Sequence, residues 1–286
     1  MATIIDGRKL AKKINDETAK QVTKLKSENV FPCLAVILVG DDQASHRYVR
    51  SKHRKAEQLG IKSIVKEMPE NTTQEDLMQV LNEYNNDDDI HAILIQSPLP
   101  KQIDEKFIMK QINPKKDVDG FQTINAGNLF LNESTNYPVA CTPNGVMQMF
   151  KEYNVALEGK KAVVIGRSTI VGRPMAALLI NAGAEVTVLN HFAEVSQYTK
   201  DADIIVSATG KLHTLRAADV KAGATVIDVG QNVDENGKLV GDVDFDEVAK
   251  VAGNITPVPG GVGPMTICML MKQTVQLAKW SDKRNG

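Results

Sequence analysis

The sequence predicts an α/β fold built as two domains, and three observations carry that expectation. Helix and strand signals alternate along almost the whole chain. Several apolar runs are unbroken, which suits strands buried on both faces of a mostly parallel sheet. A length of 286 residues is sufficient for two separate cores.

Taken in order, Leu10, Ile14, Val22 and Leu25 share one face of a first helix. Leu34 to Val39 is a continuous apolar run ending at Gly40 and reads as a buried strand. A helix from about Ala44 to Leu59 follows, closed by Gly60 as a C-terminal cap. Thr72 and Glu75 stand at capping-box spacing, and Leu77, Val80, Leu81 and Tyr84 continue that helix at helical intervals. Ile90 to Ile95 is a second buried strand. Between Ser97 and Pro138 the chain is looser, with few long apolar runs. Thr142-Pro143 then reads as a helix start, threonine as N-cap and proline at the first helical position.

A new βαβ series opens at Lys161. Ala162 to Ile165 is a strand, about Val171 to Asn181 a helix, and Val186 to Leu189 the next strand. Ile204 to Val206 and Val226 to Val229 continue the series, and Asn236-Gly237 marks a hairpin. Pro257 to Pro264 is a rigid Pro/Gly loop, and a final helix runs from about Met265 to Trp280.

With 24% charged residues and a formal net charge of -1, nothing in the balance calls for nucleic acid or an anionic membrane. Cys33, Cys141 and Cys268 lack CxxC spacing and read as buried thiols of a reducing compartment. The opening residues show no apolar core of signal-peptide length, and no stretch is long enough to span a bilayer, so the expected address is the cytoplasm. The five histidines form no zinc-type cluster, so no metal is expected.

The loop Gly166-Arg167-Ser168-Thr169-Ile170-Val171-Gly172 joins a strand to a helix at the head of the βαβ series. Glycine lets the backbone approach a pyrophosphate, and free N–H groups at a helix start favour anions. Serine replaces the second glycine of the usual GxGxxG pattern, so the loop alone is also compatible with an ordinary βα turn. The second strand ends Val188-Leu189-Asn190-His191, without the acid that would hold a ribose 2'-hydroxyl. Arg167, and with it Arg173, offers a partner for a 2'-phosphate instead, which favours NADP and leaves NAD as the alternative.

In the first half, Ser45, Tyr48 and Lys52 lie three and four residues apart and share a helical face. Their helix starts at the carboxyl edge of the sheet, where α/β ligand sites form. A lysine partly removed from water can exchange protons near neutral pH, while a tyrosine ring can stack on a planar substrate. The plain alternative is a half-buried tyrosine beside an exposed lysine. A Tyr-x-x-x-Lys pair also occurs in short-chain dehydrogenases, but there the glycine loop precedes the pair. Gln96 ends the second strand near the same edge, where its amide can bond a lysine amine without adding charge. Asp119 sits in Lys116-Asp117-Val118-Asp119-Gly120-Phe121, either as a turn former or as an acid gripping a nitrogen-rich ring.

Several motifs follow one another in a specific order: Val39-Gly40 to Ser45, Tyr48-Val49-Arg50-Ser51-Lys52, Ile95-Gln96-Ser97-Pro98-Leu99-Pro100, Lys116 to Phe121, Cys141-Thr142-Pro143, Gly166-Arg167-Ser168 and Pro257 to Thr266. Together, and over nearly the whole chain, they resemble the bifunctional methylenetetrahydrofolate dehydrogenase/cyclohydrolase family of FolD type. The resemblance implies a catalytic domain at 1–142, completed by the C-terminal helix 265–286, and a Rossmann-type NAD(P)-binding domain at 143–264, with the active site in a cleft between them. It implies oxidation of 5,10-methylenetetrahydrofolate to the methenyl cation with NADP, hydrolysis of that cation to 10-formyltetrahydrofolate, and a homodimer. By motif, Lys52 matches the catalytic lysine, Gln96 its partner, Tyr48 the ring packed on the folate and Asp119 the acid holding the pterin. Gly166, Arg167 and Ser168 match cofactor contacts, with His191 and Gln231 at further cofactor positions. Pro259, Gly260 and Gly261 match part of the substrate wall.

The chain also departs from the family pattern. Asn190 to Glu194 is one residue shorter than the usual polar stretch, and Glu194 would repel a phosphate if it faced the pocket. Gln231 replaces an apolar residue, and Lys272-Gln273-Thr274 stands where an Asn-Thr pair is usual. The Asn190–Glu194 segment and Gln231 bear on NADP against NAD, while the catalytic positions show no such departure. Two rivals remain: another dehydrogenase with a separate substrate domain, which leaves Gln96 and Asp119 unexplained, and a non-catalytic binding protein, which leaves Lys52 and Tyr48 without a purpose.

Overall fold

A computed structural model describes residues 1–281. The chain begins with β1 (Thr3–Ile4), α1 (Gly7–Ser27), β2 (Cys33–Val39), α2 (Gln43–Gln58), β3 (Lys62–Met68), α3 (Gln74–Asn86) and β4 (Ala92–Ile95). Three helices follow, α4 (Glu105–Met109), α5 (Thr123–Leu131) and α6 (Cys141–Glu152). Next come β5 (Lys161–Ile165), α7 (Gly172–Asn181), β6 (Glu185–Leu189), α8 (Ser196–Thr199), β7 (Ile204–Ser207) and β8 (Thr225–Asp228). The chain closes with β9 (Asn232–Val233), β10 (Leu239–Val240), α9 (Phe245–Val248), β11 (Asn254–Ile255) and α10 (Val262–Ser281). Of the expected final segment 265–286, residues 282–286 lie outside the described residues.

Contacts divide the chain into two units, one of residues 13–141 and 267–286, the other of residues 1–12 and 142–266. The first unit holds a parallel sheet in the order β3-β2-β4. Every residue of β2 is buried, as its unbroken apolar run requires of a central strand. Cys33, Ala35, Ile37 and Val39 pack with Leu77 and Leu81 of α3 and with Ile93 and Ile95 of β4. β3 was not evident in the sequence, since its residues are half-buried or exposed and carry no apolar run. Two helices, α4 and α5, likewise occupy the stretch expected to be loose.

The second unit carries a parallel six-stranded sheet in the order β1-β11-β8-β7-β5-β6. Val163, Ile165, Ile205, Val226 and Ile255 form its core on one face. The first twelve residues belong here and not with residues 13–141, where the sequence had put them. The reason is backbone pairing: Thr3 N donates to Gly253 O at 2.8 Å and Ile5 N to Ile255 O at 2.8 Å, extending the sheet by one strand. Asn236-Gly237 forms the expected turn between antiparallel β9 and β10.

Three expected helix starts shift. Thr73 caps α3 in place of Thr72, its hydroxyl accepting Asp76 N while the Asp76 carboxylate accepts Thr73 N. Thr72 instead donates to Pro69 O at 2.6 Å and is buried in the preceding turn. Helix α6 begins at Cys141, so Thr142 lies inside its first turn, where its hydroxyl meets that of Thr266 at 2.9 Å. Helix α10 takes up Val262 to Pro264, the last residues of the expected Pro/Gly loop.

Candidate active site

In unit 13–141 the parallel strands deliver their polar residues to one edge. Asp42, after β2, caps α2 by accepting Ser45 N at 2.7 Å. That fixed start sets the helical face on which Tyr48 and Lys52 stand; Tyr48 is exposed and Lys52 half-buried. Gln96 is the first residue after β4, and its backbone N–H donates to Ile37 O of β2 at 2.9 Å. Lys52 Nζ donates to Gln96 Oε1 at 3.0 Å, while Gln96 Nε2 donates to Ser97 O at 2.7 Å. The structure therefore joins the lysine and the amide that the sequence left on separate motifs.

The two acids of the Lys116–Phe121 loop differ in their environment. Asp117 is buried and is the turn former: its carboxylate accepts Gly120 N at 3.1 Å, Gln122 N at 2.8 Å and Asn125 Nδ2 at 2.9 Å. Among the described residues the Asp119 carboxylate accepts no hydrogen bond. It feels the charge of Lys52, which draws its pKa down, but burial dominates and pushes it up to about 6. Lys52 is the counterpart, lowered by desolvation while Asp119 and then Cys141 oppose the shift. Cys141, read from sequence only as a buried thiol, lies in the same electrostatic neighbourhood. Burial and the Asp119 charge hold its thiol well above the usual range, so it stays protonated at neutral pH.

Sequence reasoning missed a support for this loop. Gln273 of α10 is buried, donates to Val118 O and to Val139 O (2.9 Å), and accepts Val139 N at 3.1 Å. It thus fixes the peptide before Asp119. The only sequence signal was its departure from the family's usual Asn-Thr pair.

In the other unit, β5 leads into the Gly166–Gly172 loop. Gly166 has φ +113°, and a Cβ there would stand 2.4 Å from Ala208 O. A Cβ on Gly172 would stand 2.2 Å from Gly166 O. The loop is therefore a tight cradle in which two side chains are excluded, the geometry that brings backbone close to a pyrophosphate. Ser168 Oγ accepts Val171 N at 3.2 Å and Gly172 N at 3.4 Å, leaving its own hydroxyl hydrogen to donate outward. Arg167 and Arg173 are exposed, but Arg173 Nε bonds Arg167 O at 3.3 Å and so braces the loop.

The remaining residues with expected roles lie in this same unit. His191 is exposed and its ring packs on Phe192 at 3.9 Å. Glu194 accepts Ser196 Oγ at 3.1 Å. Gln231 is exposed, its Nε2 lying 3.6 Å from the position of a Cβ on Gly263. Pro259, Gly260 and Gly261 form a turn in which Gly261 N donates to Pro257 O at 2.8 Å and Gly260 O accepts Arg8 N at 3.2 Å.

A carboxylate pair at the strand ends also escaped the sequence. Asp242 is fully buried and accepts from Ser207 Oγ, Thr209 N, Thr209 Oγ1, Lys211 N and Asn232 Nδ2. Asp228 accepts Gly230 N, Asp242 N and Val243 N, and burial raises its pKa to about 6. Together they tie the loops after β7 and β8, and the first of these backs Gly166. Among the described residues no group of three or more His, Cys, Asp or Glu is placed to hold a metal ion.

Comparison with known proteins matches this arrangement to one family along the chain. Residues 5–119 match the tetrahydrofolate dehydrogenase/cyclohydrolase catalytic domain, and residues 140–282 the NAD(P)-binding domain of the same family. The bifunctional protein FolD of Levilactobacillus brevis is 56% identical over 287 residues, covering 100% of both chains. Among solved structures, the bifunctional FolD enzyme of Campylobacter jejuni superposes with a TM-score of 0.96 at 51% identity, covering 98% of this chain and 99% of that one. The Trypanosoma brucei enzyme, solved with NADP and an inhibitor, gives 0.93 at 38% identity, covering 99% of each chain.

Proposed function

We infer the reaction from a plain premise: the chain belongs to the tetrahydrofolate dehydrogenase/cyclohydrolase family. It oxidises 5,10-methylenetetrahydrofolate to 5,10-methenyltetrahydrofolate and hydrolyses that cation to 10-formyltetrahydrofolate. The observation that carries the residue assignment is the Lys52–Gln96 hydrogen bond, set in the field of an Asp119 carboxylate with no hydrogen-bond partner among the described residues.

The first step needs the donor carbon held against its acceptor more than it needs acid–base groups. A bound NADP supplies the hydride acceptor. The glycine cradle fits its pyrophosphate, with Gly166 and Gly172 lacking side chains that would bar a close approach and Ser168 donating its hydroxyl hydrogen. Arg167 is the exposed cation for a 2'-phosphate, and His191 and Gln231 border the same unit's ligand surface. Asp119 accepts hydrogen bonds from the pterin ring, Tyr48 covers the ring face, and the Pro259–Gly261 turn lines the substrate's path.

In the second step, water adds to the cationic carbon and loses a proton. The carbon–N5 bond then opens as N5 takes up a proton and the new hydroxyl gives up its own, which leaves the formyl group on N10. Lys52 handles these protons, because burial brings its ammonium closer to exchange at neutral pH and Gln96 Oε1 holds its Nζ in place. Three free, buried cysteines support a reducing compartment, the cytoplasm. The family resemblance supports a homodimer.

Steady-state kinetics with NADP and NAD side by side tests the reading. Reduction of NADP by methylenetetrahydrofolate, followed by release of 10-formyltetrahydrofolate, is expected. Equal or better use of NAD, with no loss on Arg167→Ala, would overturn the phosphate-clamp assignment.

A further inference from the structure

We propose that Glu105 is a positioning residue for hydrolysis: it anchors the Ser97–Leu99 turn so that Gln96 presents its amide oxygen, not its nitrogen, to Lys52. This rests on the role assigned to Lys52 above.

Glu105 opens α4 and is half-buried. Each of its carboxylate oxygens holds one point of the turn. Oε1 accepts Ser97 Oγ at 2.8 Å, and Oε2 accepts Leu99 N at 3.2 Å. The turn's anchor is itself fixed from outside the turn. Asp104 caps α4 by accepting Phe107 N at 3.1 Å, and Asp104 N donates to Gln74 Oε1 of α3 at 2.9 Å. The position of Glu105 is therefore set by α3 and α4.

The consequence reaches Lys52 through one carbonyl. Ser97 O accepts Gln96 Nε2 at 2.7 Å, which turns Gln96 Oε1 towards Lys52 Nζ at 3.0 Å. The two ends of an amide are alike in shape and opposite in chemistry. Flipped, Gln96 would set its N–H donors against the lysine ammonium and its oxygen against the Ser97 carbonyl, two repulsive contacts. The Ser97 carbonyl thus selects the amide orientation, and Glu105 places that carbonyl. Without the anchor, the turn and the amide gain alternatives in which Lys52 is held differently.

The test uses the full chain carrying Glu105→Ala, Ser97→Ala, both together, and Glu105→Gln. Glu105→Ala should lower the kcat of methenyl hydrolysis about tenfold, as a displaced catalytic group does. It should also move the pH profile of hydrolysis while leaving the KM for NADP unchanged. Ser97→Ala should do less, because the Leu99 anchor survives, and Glu105→Gln should recover part of the loss through its remaining acceptor oxygen. The double variant should match Glu105→Ala alone, since both changes act through one turn. A lowered melting temperature with an unchanged ratio of hydrolysis to dehydrogenation would overturn the proposal, as would fully additive losses. Lys52→Met serves as the control. Its inactivity beside a normal Glu105→Ala ratio would overturn the Glu105 role alone, whereas full hydrolysis by Lys52→Met would remove both.

Discussion

Asp117 and Asp119 stand two residues apart and yet perform opposite physical tasks. Three hydrogen bonds consume the Asp117 carboxylate in holding the turn, whereas the Asp119 carboxylate accepts none among the described residues. Holding that carboxylate ready opposes stability. With its pKa near 6 in the folded chain, above the usual 3.8, the native state binds more protons than the unfolded chain between those values. Stability therefore falls as pH rises through this window, and the full penalty is present above it. Asp119→Asn should accordingly raise the melting temperature at pH values above about 6. The gain should fade as pH falls towards 3.8, and a gain that persisted undiminished in acid would contradict this. The same substitution should raise the KM for the folate, because one ring N–H loses its acceptor. Lys52 shifts in the opposite sense for the same reason, since water is withdrawn from a charge.

At the scale of elements, legibility followed the strength of the local pattern. β2 was evident because it is buried on both faces, and the α7 start because two glycines bracket it. β3 was not, because a half-exposed strand carries too few apolar residues, and α4 is too short to show a period. The Thr72/Thr73 choice depended on which hydroxyl the fold turns towards Asp76, a tertiary matter. The site was readable to the same degree. Lys52, Gln96 and Asp119 could be named from motifs, and Gln96 as the lysine's partner, but the supports from Gln273 and Asp242 depend on pairings distant in sequence, and that from Glu105 on a turn no motif marked. The glycine loop offers a direct test at this scale. Gly166→Ala meets both a positive φ and a 2.4 Å approach to Ala208 O. It should destabilise its unit by roughly 1–3 kcal/mol and abolish measurable NADP binding. Wild-type affinity in titration calorimetry would show that the loop is not the cradle.

Across the whole molecule, the chain distributes its chemistry between two units. Lys52, Gln96 and Asp119 stand in residues 13–141, and the Gly166–Gly172 loop stands in residues 142–266 with the Pro259–Gly261 turn. The N-terminal strand crosses that division in sequence by joining the six-stranded sheet, which no local pattern announces. The assembly expected from the family is a homodimer. Sedimentation should give about twice the 31.2 kDa chain mass, and a monomer at working concentration would remove that assignment. The division also makes the central claim separable by experiment, because the lysine can be changed without touching any residue of the dinucleotide loop. In Lys52→Met, methenyl hydrolysis should fall by about 10²-fold or more, while NADP affinity measured on the same preparation stays at the wild-type value. Hydrolysis at the wild-type rate would contradict the account.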